Sequence, residues 1–239
     1  MTSDELLVER VLVVTAHPDD VDFGAAGTVA TWTAAGVAVS YCVCTDGQAG
    51  GFDADVHRER IPEIRRAEQR AAGRVVGVSD VRFLGHVDGE LEPTRDLVRE
   101  IVRVIRDVRP QRVVLPNPDR WWDRIAASHP DHLAAGEAAI RAIYPFARNP
   151  FAFPELLADG LEPWTVPQVW VSGVPDPTVF VDVTDTFELK IEAIMAHTSQ
   201  HPEPDRVRPM VTEWLAANAA RAGWPQGRLA EAFRAHRTG

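Results

Sequence analysis

The stretch Val11-Leu12-Val13-Val14-Thr15-Ala16-His17-Pro18-Asp19-Asp20 decides the fold. Its first six residues are an unbroken, mostly β-branched apolar run, as expected of a strand covered on both faces. A dense polar cluster follows at once. Pro18 fixes its own φ, removes one N–H donor and biases His17 away from helix, so the turn after the strand is stiff.

Working outward, short apolar runs alternate with helical patterns. Gly24 to Ala35 predicts a helix closed by Gly36, and Val37 to Cys44 a second strand. Glu63 to Val76 predicts a helix opened near Pro62 and closed by Gly77. Val81 to Leu84 predicts a third strand. Leu97, Ile101, Val104, Ile105 and Val108 recur at helical spacing, Arg112 to Leu115 predicts a fourth strand, and His129 to Tyr144 a helix stopped by Pro145. This β-α order implies an α/β, Rossmann-like, doubly wound and mostly parallel sheet with helices on both faces. The order 3-2-1-4-5 would set the first and fourth strands side by side. Too few strands are present for a closed eight-fold barrel.

Beyond about residue 146 the pattern becomes irregular, then helical, with no linker marking a boundary, so one domain is expected over residues 1–239. Arg148 to Val166 reads as irregular but packed. Val169 to Val171 and Val179 to Val183 suggest two further strands. Asp185 and Glu188 form a capping-box pattern opening a helix through Met195. Pro209 to Ala220 and Gly227 to Ala235 read as two more helices.

The net charge of −10, with no run of Lys or Arg, argues against nonspecific binding to nucleic acid or to an anionic membrane. No apolar stretch approaches the ~20 residues of a spanning helix. Met1 to Arg10 is polar and acidic, unlike a secretory leader. Cys42 and Cys44, the only cysteines, fall on one face of a strand and read as reduced core residues. A cytoplasmic setting is expected; the oligomeric state is open, and a homo-oligomer is allowed.

Two clusters carry chemistry. His17, Asp19 and Asp20 follow the first strand, at the sheet edge where α/β proteins place ligands. Ser128-His129-Pro130-Asp131-His132 opens the helix after the fourth strand, with its two histidines on neighbouring positions of one face. Alone, either cluster reads as a helix cap. Together they bracket the crevice between the first and fourth strands. Two histidines and one carboxylate with an open position are a catalytic rather than a structural metal set. Zinc is the default, and Fe(II) is allowed because the same donors form the facial triad of oxygenases. The remaining carboxylates and histidine are then free for proton transfer and oxyanion stabilisation.

At these residues the sequence resembles the PIG-L, or LmbE-like, N-acetylglucosaminyl deacetylase family. The pairing of Ala16-His17-Pro18-Asp19-Asp20 with His129-Pro130-Asp131-His132 carries the resemblance. Thr45-Asp46-Gly47, the stretch from Arg65 and Glu68 to Gly77-Val78, and Leu84-Gly85-His86-Val87-Asp88-Gly89 support it. The resemblance implies a zinc-dependent hydrolase that removes an N-acyl group, usually acetyl, from an amino sugar or related small molecule. It implies His17, Asp20 and His132 as metal ligands and Asp19 as general base and later acid. It implies His129 as the group stabilising the tetrahedral oxyanion, protonated for that purpose, with Asp131 as its supporting partner. Arg65 and Asp88 match positions that contact sugar hydroxyls; their bland readings are a solvated helix face and a turn aspartate.

One departure is Ala127, where some relatives carry a tyrosine. The long loop before it holds Trp121 and Trp122, which suit sugar stacking, a lid or a subunit contact. His197 and Gln200 recur in relatives and read as pocket lining or as a helix-end cap; His86 and His201 have no assigned role. Alternative activities on the same residues are hydrolysis of a thiol-conjugate or other non-sugar amide, an Fe(II) oxygenase, and a non-catalytic small-molecule binding protein.

Overall fold

The computed structural model describes residues 7–53, 55–201 and 203–238, so the first six residues of the polar opening segment lie outside the described residues. Seven strands form one sheet: β1 Arg10–Thr15, β2 Ala38–Thr45, β3 Asp80–His86, β4 Arg112–Pro116, β5 Gln168–Ser172, β6 Val179–Asp182 and β7 Ala230–Arg237. Their order is β3-β2-β1-β4-β5-β7-β6. The first five pair in parallel, and β7 pairs antiparallel with both β5 and β6. Chain connections leave β1 and β4 in opposite directions, which makes the gap between them the switch point.

The helices are α1 Asp20–Ala34, α2 Ile61–Val75, α3 Arg95–Val108, α4 Pro130–Arg141, α5 Pro154–Ala158, α6 Phe187–Met195 and α7 Val207–Arg221. Residue parity along the strands divides the core. Leu12, Val14, Cys42, Cys44, Val113 and Leu115 pack against α3 and α4 on one face. Val11, Val13, Tyr41, Val114, Trp170 and Phe233 pack against α1 and α2 on the other. Covering both faces is what makes β1 and β4 continuous apolar runs rather than alternating ones. Both cysteines are free and buried, as read from the sequence.

Several expectations are corrected. Gly227 to Ala235 is not helical: Ala230–Arg237 is β7, slotted between β5 and β6. Its alanines favour helix, but two unpaired strand edges offer a full backbone ladder, and tertiary context overrides propensity. The capping box does not form. The N-cap of α6 is Thr186, without a side-chain cap bond, and Glu188 instead pairs with Arg208 at 2.7 Å. Helix α1 starts four residues earlier than Gly24, because the carbonyl of Asp19 accepts from the N–H groups of Asp22 and Phe23 at 2.9 and 3.1 Å. Helix α4 ends at Arg141; the chain continues as an irregular helical turn over Ala142–Ala147, broken at Tyr144.

The irregular segment after α4 is packed, and the reason is Arg106. Its guanidinium, 2% exposed, donates to the carbonyls of Phe146, Ala147, Asn149, Ala152 and Leu161. Among the described residues no helix is long and apolar enough to cross a membrane.

Candidate active site

The end of β1 and the start of α4 meet at the switch point. His17 Nδ1 lies 3.3 Å from His132 Nε2 and 3.6 Å from Asp20 Oδ2, while His132 Nε2 lies 3.0 Å from Asp20 Oδ1. Donors about 2.0–2.1 Å from a tetrahedral ion sit roughly 3.3 Å apart, so the three residues bring ligand atoms to about the spacing such an ion needs. The other contacts of Asp20 fix it: Oδ2 accepts from the N–H groups of Ala16 and His17 at 3.1 and 2.8 Å. The donor set therefore fits a divalent metal, and zinc among such metals.

The surrounding charge fits as well. Nε2 of His17 lies 3.1 Å from both Asp88 Oδ1 and Asp131 Oδ2. Burial opposes charging His17, but the carboxylates of Asp20 and Asp88 outweigh it and push its pKa up to about 11. Burial would raise Asp20, yet His132 and His17 hold it well below the usual carboxylate range.

Asp19 faces a different set of partners. Its Oδ2 accepts from Arg65 Nη2 at 2.8 Å, and the same nitrogen donates to the carbonyl of Pro18 at 2.6 Å. Burial raises the Asp19 carboxyl and Arg65 lowers it; the balance leaves it at about 6. Arg65 is 4% exposed, which removes the reading of it as a solvated helix face. It also donates to the carbonyl of Gly47 at 3.3 Å. Gly47 and Gly50 admit it, since a β-carbon at either would lie within 2.6 Å of its guanidinium.

The contacts of Asp131 differ from those expected. Its carboxylate meets His17 and the N–H groups of Gly89 and Leu91, at 2.7 and 3.4 Å for the last two. What it gives His129 is its backbone N–H, which donates to Nδ1 at 3.2 Å. Nδ1 is thereby an acceptor, and the ring proton sits on Nε2. Burial and the neighbouring His17 both lower the pKa of His129. With Nδ1 accepting that N–H, Nε2 is the ring nitrogen left to donate toward the site. Asp88, read as a turn residue or a sugar contact, is tied to His17 and accepts from the Ala49 N–H at 3.1 Å.

Asp20 and His132 open onto a cavity of about 200 Å³ that Trp121, Arg124, Ala127 and Trp214 also line. Trp122 is 78% exposed. Trp214 and Arg124 went unnoticed in the sequence: α7 brings Trp214 from far along the chain, and the guanidinium of Arg124 lies 5.8 Å from its ring centre. His197 is fully buried with Nε2 2.8 Å from Asp22 Oδ2. His86 pairs with Glu100 at 2.7 Å.

A Rossmann-like sheet whose switch point gathers two histidines and a carboxylate, with a further acid alongside, defines an α/β protein whose strand ends could hold a metal ion. The chain belongs to the PIG-L family, described as GlcNAc-PI de-N-acetylase, which matches residues 12–143. It is 36% identical over 197 residues to the diacetylchitobiose deacetylase of Thermococcus kodakarensis, covering 82% of this chain and 72% of that one. It is 34% identical over 198 residues to a probable N-acetyl-alpha-D-glucosaminyl L-malate deacetylase 2 of Bacillus cereus, covering 80% and 83%. The solved N,N'-diacetylchitobiose deacetylase of Pyrococcus horikoshii, complexed with its inhibitor MPG, superposes with a TM-score of 0.88 at 30% identity, over 96% of this chain and 84% of that one.

Proposed function

We propose that this chain is a zinc-dependent hydrolase that removes the N-acetyl group from an amino sugar of the N-acetylglucosamine type. The observation that carries the reading is the convergence of His17 Nδ1, Asp20 and His132 Nε2 with Asp19 beside them, held by Arg65 and left out of the triad. The relatives named above act on N-acetylated glucosamine compounds, and the covered lengths support carrying that substrate class across.

His17, Asp20 and His132 would hold the ion, which when bound supplies Lewis-acid polarisation of the amide carbonyl and of the attacking water. Asp19 takes a proton from that water as its oxygen adds to the carbonyl carbon. A carboxyl near 6 suits a group that must accept and return a proton close to neutrality. Nε2–H of His129 donates to the carbonyl oxygen as negative charge gathers there. Asp19 then delivers its proton to the nitrogen as the C–N bond breaks, leaving acetate and a free amine. Asp131 sets both histidines, His17 through its carboxylate and His129 through its N–H. Arg65 and Asp88 hold Asp19 and His17, and the spare acceptor sites of the Asp88 carboxylate would be open to a sugar hydroxyl.

The test is acetate release from N,N'-diacetylchitobiose and from N-acetylglucosamine conjugates, by protein reconstituted with zinc or with iron. Asp19→Ala should keep its metal and lose turnover. A wild type inactive on every N-acetylated amino sugar, or an Asp19→Ala variant of normal rate, would defeat the reading.

A further inference from the structure

Asp19 holds a backbone conformation, φ 88° and ψ −25°, that side-chain-bearing residues rarely adopt. Such a residue persists only where its neighbours over-determine it. Its carbonyl opens α1, and its carboxylate is held by Arg65. Its own N–H is held by something remote: it donates to Oε1 of Gln69, on α2, at 2.8 Å.

Gln69 has no freedom to turn its amide over. Oε1 must accept from Asp19, and Nε2 donates to Asp22 Oδ2 at 2.8 Å. The same Asp22 oxygen lies 2.8 Å from Nε2 of His197, just beyond α6. Gln69, Asp22 and His197 are each 0% exposed. Burying an amide, an acid and an imidazole together is costly unless their orientation has a use. Asp22 Oδ1 and His197 Nδ1 even lack hydrogen-bond partners among the described residues. Neither Asp22 nor His197 belongs to the His, Cys, Asp and Glu groups that could hold a metal among the described residues. The chain His197–Asp22–Gln69 reaches the site at the peptide N–H of Asp19.

We propose that Gln69 is the positioning residue for Asp19, clamping its peptide in the left-handed conformation that aims its carboxylate, and that Asp22 and His197 hold Gln69 in turn. This rests on Asp19 being the proton-transfer group. It adds a second function for α2, which already supplies Arg65, and one for the segment just beyond α6. Loosening the clamp should reach the chemical step, because small misplacements of a reacting group are costly there, and should leave metal binding alone.

Three variants test it: Gln69→Met, Gln69→Glu, and Gln69→Glu combined with Asp22→Asn. Gln69→Met keeps the shape and removes the acceptor. It should retain full zinc stoichiometry and a KM within about twofold of wild type, while kcat falls on the order of tenfold to a hundredfold. Its crystal structure should show Asp19 out of the left-handed region. Gln69→Glu keeps an acceptor but sets a second carboxylate against Asp22; adding Asp22→Asn returns the missing donor and should recover most of kcat. The proposal is overturned if Gln69→Met turns over near the wild-type rate, if zinc and kcat fall in proportion, if Asp19 keeps its φ near 88°, or if the double variant recovers nothing. A wild type inactive on all N-acetylated amino sugars would sink the functional reading instead, and the Asp19 conformation in the Gln69→Met crystal would still decide this one.

Discussion

Asp131 Oδ2 lies 3.1 Å from Nε2 of His17, the ring nitrogen left over once Nδ1 has turned to Asp20 and His132. A carboxylate at the outer nitrogen of a metal-binding histidine orients the ring and raises its basicity. Asp131→Asn should therefore weaken zinc affinity by about tenfold or more. Asp88, equally close to that nitrogen, should limit the loss, so a double Asp131→Asn/Asp88→Asn variant should lose more than either alone. Competition against a chromogenic chelator measures this; an unchanged affinity in both would contradict it.

His129 should be neutral, with its proton on Nε2, across neutral pH. The Asp131 N–H occupies Nδ1, and burial with the nearby His17 lowers the pKa from its ordinary 6.5. The sign follows: a neutral donor persists as pH rises through 6.5, so turnover should not fall there, whereas an imidazolium donor would be lost. The pH profile of kcat between about 6 and 9, with nitrogen NMR of the ring, checks both. His129→Ala should cut kcat by on the order of a hundredfold without loss of zinc.

Arg106→Met should destabilise the fold by about 2–4 kcal/mol, because five carbonyls of the segment after α4 lose their shared donor in a buried place. Denaturant unfolding measures it, and a loss under about 0.5 kcal/mol would mean that water takes over those carbonyls.

The thiols should be inert in the folded protein. Burial pushes Cys42 up to about 12 and Cys44 well above its ordinary value. The reactive thiolate of Cys42 at pH 8 is then roughly one part in ten thousand. A thiol reagent at that pH should modify neither residue until denaturant is added; rapid labelling of native protein would show that the strand region opens.

The parallel half of the sheet was legible because β1, β2 and β4 are largely apolar runs buried on both faces, and that pattern survives in the one-dimensional chain. The two histidine-aspartate clusters were legible because each sits at a strand-to-helix junction, where local chemistry and position coincide. β7 was not: Ala230 to Ala235 has helical composition, and its strand state is set by the edges of β5 and β6, which only the folded chain brings alongside.

The capping pattern at Asp185 and Glu188 misled for a related reason, since Arg208, twenty residues on, takes the glutamate. The sequence by itself determined the sheet class and the placing of the two histidine-aspartate clusters at strand-to-helix junctions, because both are written in local pattern and in two short motifs. Only the tertiary structure decided who holds whom. Asp131 braces His17, Arg65 and Gln69 secure Asp19, and the Asp131 N–H takes Nδ1 of His129, because hydrogen-bond pairing depends on approach and direction that composition does not encode.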